Sequence, residues 1–356
     1  MSRRRSFRKV IEAHFVEFRK SQRRTIHDLS VGLLNRGRIG LAEVARGMAD
    51  RTTVRHRIKR AWRFGRNEAV TSEKATRGLA RWMLSSDEET VIALDWTDLG
   101  DYVLLSAKVA IDSRAVPLAW AVITKGQFRR DARSRNHVEE QVIWRLRDVL
   151  SGRRWVLVAD RGFARADLFR KLGVWGVRYV IRAPGNPWIR TRRYRGILDN
   201  LTRKPRRAVR YEQVLYHKTR RVPVRLVVTH EEPAPEPWYL VTNVEGIRDV
   251  VCIYRKRMWI EEGFRDAKSG LGLAQFWMAR PERIERMLIL VAVVMLLSIL
   301  VGLDYIRRHG NRDPQLTTKR KGRTLSVFRL GFELIRQYGL PPGIGRMKLV
   351  TASGET

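Results

Sequence analysis

Met287 to Leu303 reads MLILVAVVMLLSILVGL, 17 residues without a charge. A helix that is apolar on every side must be surrounded, either by lipid or by the other elements of a large fold. A bilayer span needs about 20 apolar residues, with a lower limit near 17. Arg283 and Arg286 precede the run, and Arg307 and Arg308 follow it. The flanks therefore carry no positive-inside asymmetry. Two readings stand, a buried core helix and a membrane span. The balanced flanks favour the core helix, with no membrane partner expected.

A core able to enclose such a helix requires a sizeable apolar complement. The chain has 356 residues, 44% of them apolar, which excludes a disordered basic tail. At about 150 residues per domain, this length suggests two to three domains. The charge is unbalanced: 72 Lys+Arg against 36 Asp+Glu give a formal net charge of +36. Self-repulsion on that scale destabilises a compact state, so a polyanion partner is implied, with DNA or RNA the default. The one cysteine, Cys252, excludes a disulfide framework and a thiolate zinc site. The seven His show no ligand pair at helical or knuckle spacing. The N-terminus, MSRRRSFRKVIEAHF, is basic without an apolar run, so a secretory signal is not expected. The expected location is cytoplasmic and nucleoid-associated.

Residues 1–85 read as helical. IEAHFVEFRKS and RTIHDLSVGLLNRG carry apolar residues at spacings of three and four. LAEVARGMADRTTVRHRIKRAWRFGRN predicts two short helices around a turn at Gly47 to Thr52, with Thr52 or Thr53 capping the second. Val54, Ile58 and Ala61 or Trp62 are expected inside. Arg55, His56, Arg57, Lys59 and Arg60 are expected outside, as the DNA-contacting basic face of a helix-turn-helix-like hairpin, which makes residues 1–85 a helical DNA-binding domain. The alternative is a solvated helical face.

From Glu88 the period changes. Thr90–Leu94, Tyr102–Ile111, Ala115–Ile123, Trp155–Ala159 and Val177–Arg182 read as strands. Asn136 and Glu139 are spaced as a capping box that opens a helix to about Leu150, and Arg165–Leu172 reads as another helix. A three-strand meander followed by helix–strand–helix–strand is the order of a ribonuclease-H-like α/β core, expected over residues 86–182. Residues 183–248 predict a β-rich insertion, punctuated by prolines and dense in Arg190, Arg192, Arg193, Arg195, Arg203, Lys204, Arg206, Arg207 and Arg210. With Trp188 and Trp238 interleaved, it suits a nucleic-acid groove or a surface-charged extension. Asp249–Lys268 predicts one long helix closed by Gly270. It opens the segment 249–310, which also holds the apolar helix. A basic and helical tail, residues 311–356, ends the chain with a helix near Leu325–Tyr338.

Two acids follow apolar strands directly, Asp95 after TVIAL and Asp160 after WVLVA. The ends of α/β strands are the usual site position. On the helix, Tyr254, Arg257, Glu261 and Lys268 fall within a stripe about 60° wide. Ile260 and Phe264 indicate that this stripe borders the core. Glu262 points away, and Asp98 is a weaker ligand candidate.

These residues resemble the DDE transposases of the insertion-sequence-4 family. The resemblance lies in ALDWTD around Asp95, DRGF around Asp160, YVIRAPGN, and YRKRMWIEEGFRDAKSG with its Tyr254-x2-Arg257-x3-Glu261-x6-Lys268 signature. It implies that Asp95, Asp160 and Glu261 hold two Mg²⁺ ions, with Mn²⁺ as a substitute. Paired divalent ions about 4 Å apart serve both the attacking and the leaving oxygen of a phosphodiester. The resemblance also implies DNA-phosphate contacts by Tyr254, Arg257 and Lys268, and a flipped base stacked on Trp238. The implied partners are double-stranded DNA, as inverted-repeat ends and target, and a second copy of the chain in the active complex. Two alternatives remain, a captured nuclease on the same fold and a catalytically dead DNA-binding protein.

Overall fold

The computed structural model of the chain describes residues 3–85, 88–127, 134–201, 207–230, 236–310 and 325–347. Five helices come first: α1 (Arg3–His14), α2 (Lys20–Arg36), α3 (Leu41–Gly47), α4 (Val54–Arg66) and α5 (Ser72–Met83). The periodic run from Ile11 is interrupted between α1 and α2. Phe15 and Phe18 turn into the core there, both essentially buried, and the Gln22 side chain accepts the Arg19 amide to start α2. Thr53 caps α4 through the amide of His56.

Ten described strands form one sheet in the order β3-β2-β1-β4-β5-β10-β9-β8-β6-β7. They are β1 (Thr90–Leu99), β2 (Tyr102–Ile111), β3 (Arg114–Thr124), β4 (Trp155–Ala159), β5 (Arg178–Ala183), β6 (Trp188–Arg190), β7 (Arg195–Ile197), β8 (Val209–Tyr216), β9 (Val222–Thr229) and β10 (Trp238–Thr242). The meander β1–β2–β3 is antiparallel, whereas β4 runs parallel to β1 and β5 parallel to β4. Helices α6 (Arg135–Val149) and α7 (Ala166–Val174) are the crossovers that parallel pairing requires. Their start points differ from the capping-box reading. Ser134 precedes α6, and Glu139 turns its carboxylate to the Trp96 indole instead of a backbone amide.

The β-rich segment after residue 183 is not a separate layer. Strand β10 pairs antiparallel with β5, Tyr239 opposite Ala183, so the sheet continues through it. The Thr242 hydroxyl donates to the Tyr179 carbonyl at 2.6 Å, and the Asn243 amide to the Val177 carbonyl at 2.9 Å, fastening the junction. Arg203, Lys204, Arg206 and the basic loop around Lys319 to Arg323 lie outside the described residues.

The expected helix from Asp249 is broken. Helix α8 (Ile247–Arg255) passes into a 3-10 turn (Lys256–Met258), then α9 (Trp259–Arg265), then a π turn (Asp266–Gly270). The apolar run lies in α10 (Pro281–His309), long and apolar enough to cross a membrane, yet Met287 to Gly302 are buried in protein. It packs against β3, α2, α4, α5 and α11 (Val327–Tyr338). The crossing with α11 is backbone on backbone. A Cβ on Gly331 would stand 1.8 Å from the Ser298 carbonyl oxygen, and one on Gly302 2.1 Å from that of Val327. Helices α2, α4 and α5 thus pack on the same apolar helix as β3 does.

Candidate active site

Parallel pairing brings the first two acids side by side. The register sets Leu94 opposite Ala159, so Asp95 and Asp160 are the next residues on neighbouring strands. Strand β1 does not end before Asp95, as its apolar run suggests. It continues to Leu99, with Asp95 opposite Ser106, because β2 supplies antiparallel hydrogen bonds beyond the end of β4. Asp160 leaves β4 and accepts the Gly162 amide at 2.9 Å, opening the turn Arg161–Phe163.

The third acid arrives from α9, and a guanidinium sits among all three. Arg257 Nη2 is 3.0 Å from Asp95 Oδ2 and 3.8 Å from Asp160 Oδ2, while Nη1 is 3.2 Å from Glu261 Oε1. The Arg257 side chain is 12% exposed, Asp95 18%, Asp160 34% and Glu261 54%, so the cluster opens toward solvent on the Glu261 side. Burial pushes the Asp95 carboxyl up to about 6. Arg257 opposes that rise, and the neighbouring Asp160 and Glu261 carboxylates add to it. The three residues expected to act together are brought together. Arg257 belongs to the 3-10 turn, and its guanidinium lies at the strand ends.

The rest of the signature divides. Tyr254 is buried, its ring set edge-on to Trp238 with centroids 5.0 Å apart. Its phenol is raised by burial, and its hydroxyl is bonded to Arg182. Lys268 lies half-buried in the π turn. Glu262 is held by Arg114 and by Arg265 and takes no part in the cluster. Asp98 is bound to Lys125 at 2.9 Å, which lowers its carboxyl first of all, and it is exposed.

The basic helix needs correction at two positions. Arg60 is 2.8 Å from Asp28 and 3.1 Å from Asp50, while Arg57 donates to the Met48 carbonyl and lies 3.7 Å from Asp50. Arg60 holds α4 to α2 and to the preceding turn, and Arg57 holds it to that turn, so neither is an outer-face cation. Arg55 and Lys59 are exposed. Ala61, Phe64 and Gly65 face inward, whereas Val54 and Trp62 are largely exposed. Arg190, Arg192 and Arg193 are exposed at the β6–β7 hairpin. That hairpin is separated from β5 by β10, β9 and β8, so it is not brought to the acid cluster.

Sequence reasoning missed the support behind Asp95. The Trp96 indole donates to Glu139 at 2.8 Å, and Glu139 also pairs with Arg165. Glu139 is buried, and that burial raises its carboxyl against the pull of Arg165. The WTD context and the Asn-x-x-Glu spacing were the available signals, but neither reveals that they meet.

Three carboxylates supply the hard oxygens a divalent ion takes. Among the described residues, no three His, Cys, Asp or Glu side chains converge closely enough to hold an ion as they stand. The guanidinium occupies the space between them, and its Nε is buried without a hydrogen-bond partner. The donor chemistry fits a cation, and the chain's own cation fills the place.

Residues 133–297 match the family model of the transposase DDE domain, a segment that contains Asp160, Glu261 and Arg257 and begins after Asp95. A search of curated proteins finds no match.

Proposed function

We propose that the chain is a DNA transposase of the cut-and-paste type, using Asp95, Asp160 and Glu261 as its acid triad. One observation carries this reading: three carboxylates from β1, β4 and α9 meet around one guanidinium within a chain that matches the transposase DDE domain. The β3-β2-β1-β4-β5 order, antiparallel then parallel, supports a ribonuclease-H-like core for residues 86–182. In this reading residues 1–85 bind DNA, and residues 183–248 extend the core sheet as an insertion.

Asp95, Asp160 and Glu261 are the residues that would hold Mg²⁺, or Mn²⁺ in its place. When bound, two such ions activate the attacking oxygen and stabilise the leaving one. Asp95, deepest of the three, is fixed by its pairing with Ser106 of β2. Asp160 is fixed by its turn. Glu261 is the adjustable ligand, being on the solvent side. Arg257 neutralises the three carboxylates here, and with a cation held in its place it would be free to pair with a phosphate beside the cut, a bidentate role for which a guanidinium is suited. Lys268 adds a second phosphate contact. Trp238, braced by Tyr254, presents an aromatic face for an unstacked base.

The partners are inverted-repeat ends and target duplex, with a homodimer in the active complex, acting in the cytoplasm at the nucleoid. The family signature is that of the insertion-sequence-4 type, with a hairpin intermediate. The test is incubation with DNA carrying the element's own ends and Mg²⁺. Hairpin-ended product and strand transfer support the proposal. Cleavage without joining would identify a nuclease instead, and absence of any product with intact binding would leave a DNA-binding protein.

A further inference from the structure

Helix α4 sorts its cations onto two faces. Arg57 and Arg60 turn in to Asp28 and Asp50. Arg55, Lys59, Trp62, Arg63 and Arg66 are exposed. At about 100° per residue these five fall on one stripe roughly 100° wide, and Arg55 to Arg66 spans about 17 Å along the axis. No carboxylate pairs with Arg55, Lys59, Arg63 or Arg66 among the described residues. Trp62 is 45% exposed, and the Arg66 guanidinium stacks 4.2 Å from its ring centroid.

The stripe ends at a cleft of about 510 Å³. Arg66 and Glu68 line one side of it, and Arg280, Glu282, Arg283 and Arg286 from the start of α10 line the other. Arg286 is structural, donating to the carbonyls of Val70 at 3.1 Å and Gly65 at 3.0 Å. It fixes the distance between the walls. Next to Arg280 in the chain is the segment of Trp277, an indole 63% exposed. This segment lies against α4, since a Cβ on Gly65 would touch Met278 at 3.5 Å. Two exposed tryptophans thus stand on elements that also carry arginines with no ion pair among the described residues. A surface carrying cations with interleaved aromatics matches a sugar–phosphate backbone, and the net charge of +36 favours that occupant.

We propose that the outer stripe of α4 and the cleft formed with α10 are one duplex-DNA track. Arg66, Arg280 and Arg283 take backbone phosphates, and Trp62 and Trp277 pack on the adjoining sugars. The track rests on the DNA reading above and assigns a surface distinct from the acid cluster. It also makes the N-terminal helices and the core helix joint readers of a single segment of DNA.

The test is the salt dependence of duplex binding by the full chain. The variant carries Arg66→Ala, Arg280→Ala and Arg283→Ala. A charge-matched control carries Arg170→Ala, Arg307→Ala and Arg308→Ala. Each phosphate contact contributes about 0.9 to the slope of log affinity against log salt. The cleft variant is expected to lose roughly 2.7 from that slope with its urea midpoint unchanged, and the control well under 1. Trp62→Ala with Trp277→Ala should weaken binding at every salt concentration without changing the slope. Equal slopes for cleft and control variants would overturn the track while leaving the function proposal intact. Failure of the unaltered chain to bind duplex DNA would overturn both.

Discussion

Arg257 Nη2 lies 3.0 Å from Asp95 Oδ2, and the same guanidinium reaches Asp160 and Glu261. In the proposed function this cation stands where the acids would hold a divalent ion. Replacing Arg257 by Ala leaves three carboxylates facing one another. In chelator, stability should fall by roughly 1–3 kcal/mol. Mg²⁺ should then raise the melting temperature of the variant more than that of the parent. Equal Mg²⁺ responses in a thermal melt would show that Arg257 and the metal do not share the place.

Asp95→Asn, Asp160→Asn and Glu261→Gln keep side-chain volume and remove charge. Each should abolish cleavage of end-bearing DNA while gel-shift binding survives in chelator. Residual cutting in any of the three would remove that residue from the triad.

Trp238 packs edge-on against Tyr254 and is half-buried, so part of its ring remains available. Base stacking on an aromatic is worth about 1–3 kcal/mol. Trp238→Ala should weaken binding to DNA with an unpaired base near the end by roughly 5- to 150-fold, with little loss for fully paired DNA. Uniform weakening on both substrates, measured by fluorescence anisotropy, would mark the ring as structural only.

Gly263 lets α9 lie against β3. A Cβ there would stand 2.4 Å from the Ala115 carbonyl oxygen, so Gly263→Ala must push the helix away from the sheet. The stability cost is expected at about 1–3 kcal/mol. Glu261 moves with the helix, and a shift near 1 Å can cost about a hundredfold in rate. Single-turnover cleavage should fall more steeply than melting temperature. Unchanged kinetics would mean that Glu261 adjusts independently of its helix.

Glu285 accepts the Val122 amide at 2.8 Å, and burial pushes its carboxyl up to about 7. The folded chain holds the proton more tightly than the unfolded one, whose carboxyl titrates near 4.3. This contribution is complete below about 4, and it is lost as pH rises through about 7. Glu285→Gln keeps an acceptor for Val122 and removes the titration. Urea midpoints compared at pH 5 and pH 8 should show the parent losing more than the variant. Parallel losses would exclude Glu285 as the source.

Much of this arrangement was legible in periodicity. Strand β4 and the position of Asp160 follow from a short apolar run bounded by a polar turn. The span of β1 did not, because its last five residues are held by β2 and not by their own pattern. The signature helix misled in one respect. A helix of uniform pitch puts Tyr254, Arg257, Glu261 and Lys268 on one stripe, but 3-10 and π turns interrupt it: Tyr254 is buried against Trp238 beside the cluster, and Arg257 lies at the cluster's centre. Arg60 reads as surface charge because its partner Asp28 comes from α2, and such long-range pairing has no local signal. Arg57 reads the same way although its partner Asp50 lies in the adjoining turn, because the folding back of that turn is not visible in periodicity.

The central position of α10 also has a consequence for synthesis. Helices α2, α4 and α5 and strand β3 all pack on a segment that emerges much later. At about 5–20 residues per second, roughly 10–40 s separate α5 from α10 on the ribosome. For that interval the apolar faces of α2, α4, α5 and β3 lack the partner that covers them in the folded chain. Then 17 uncharged residues appear together, and the helices and sheet already made supply the enclosure that an apolar run of this length otherwise takes from lipid.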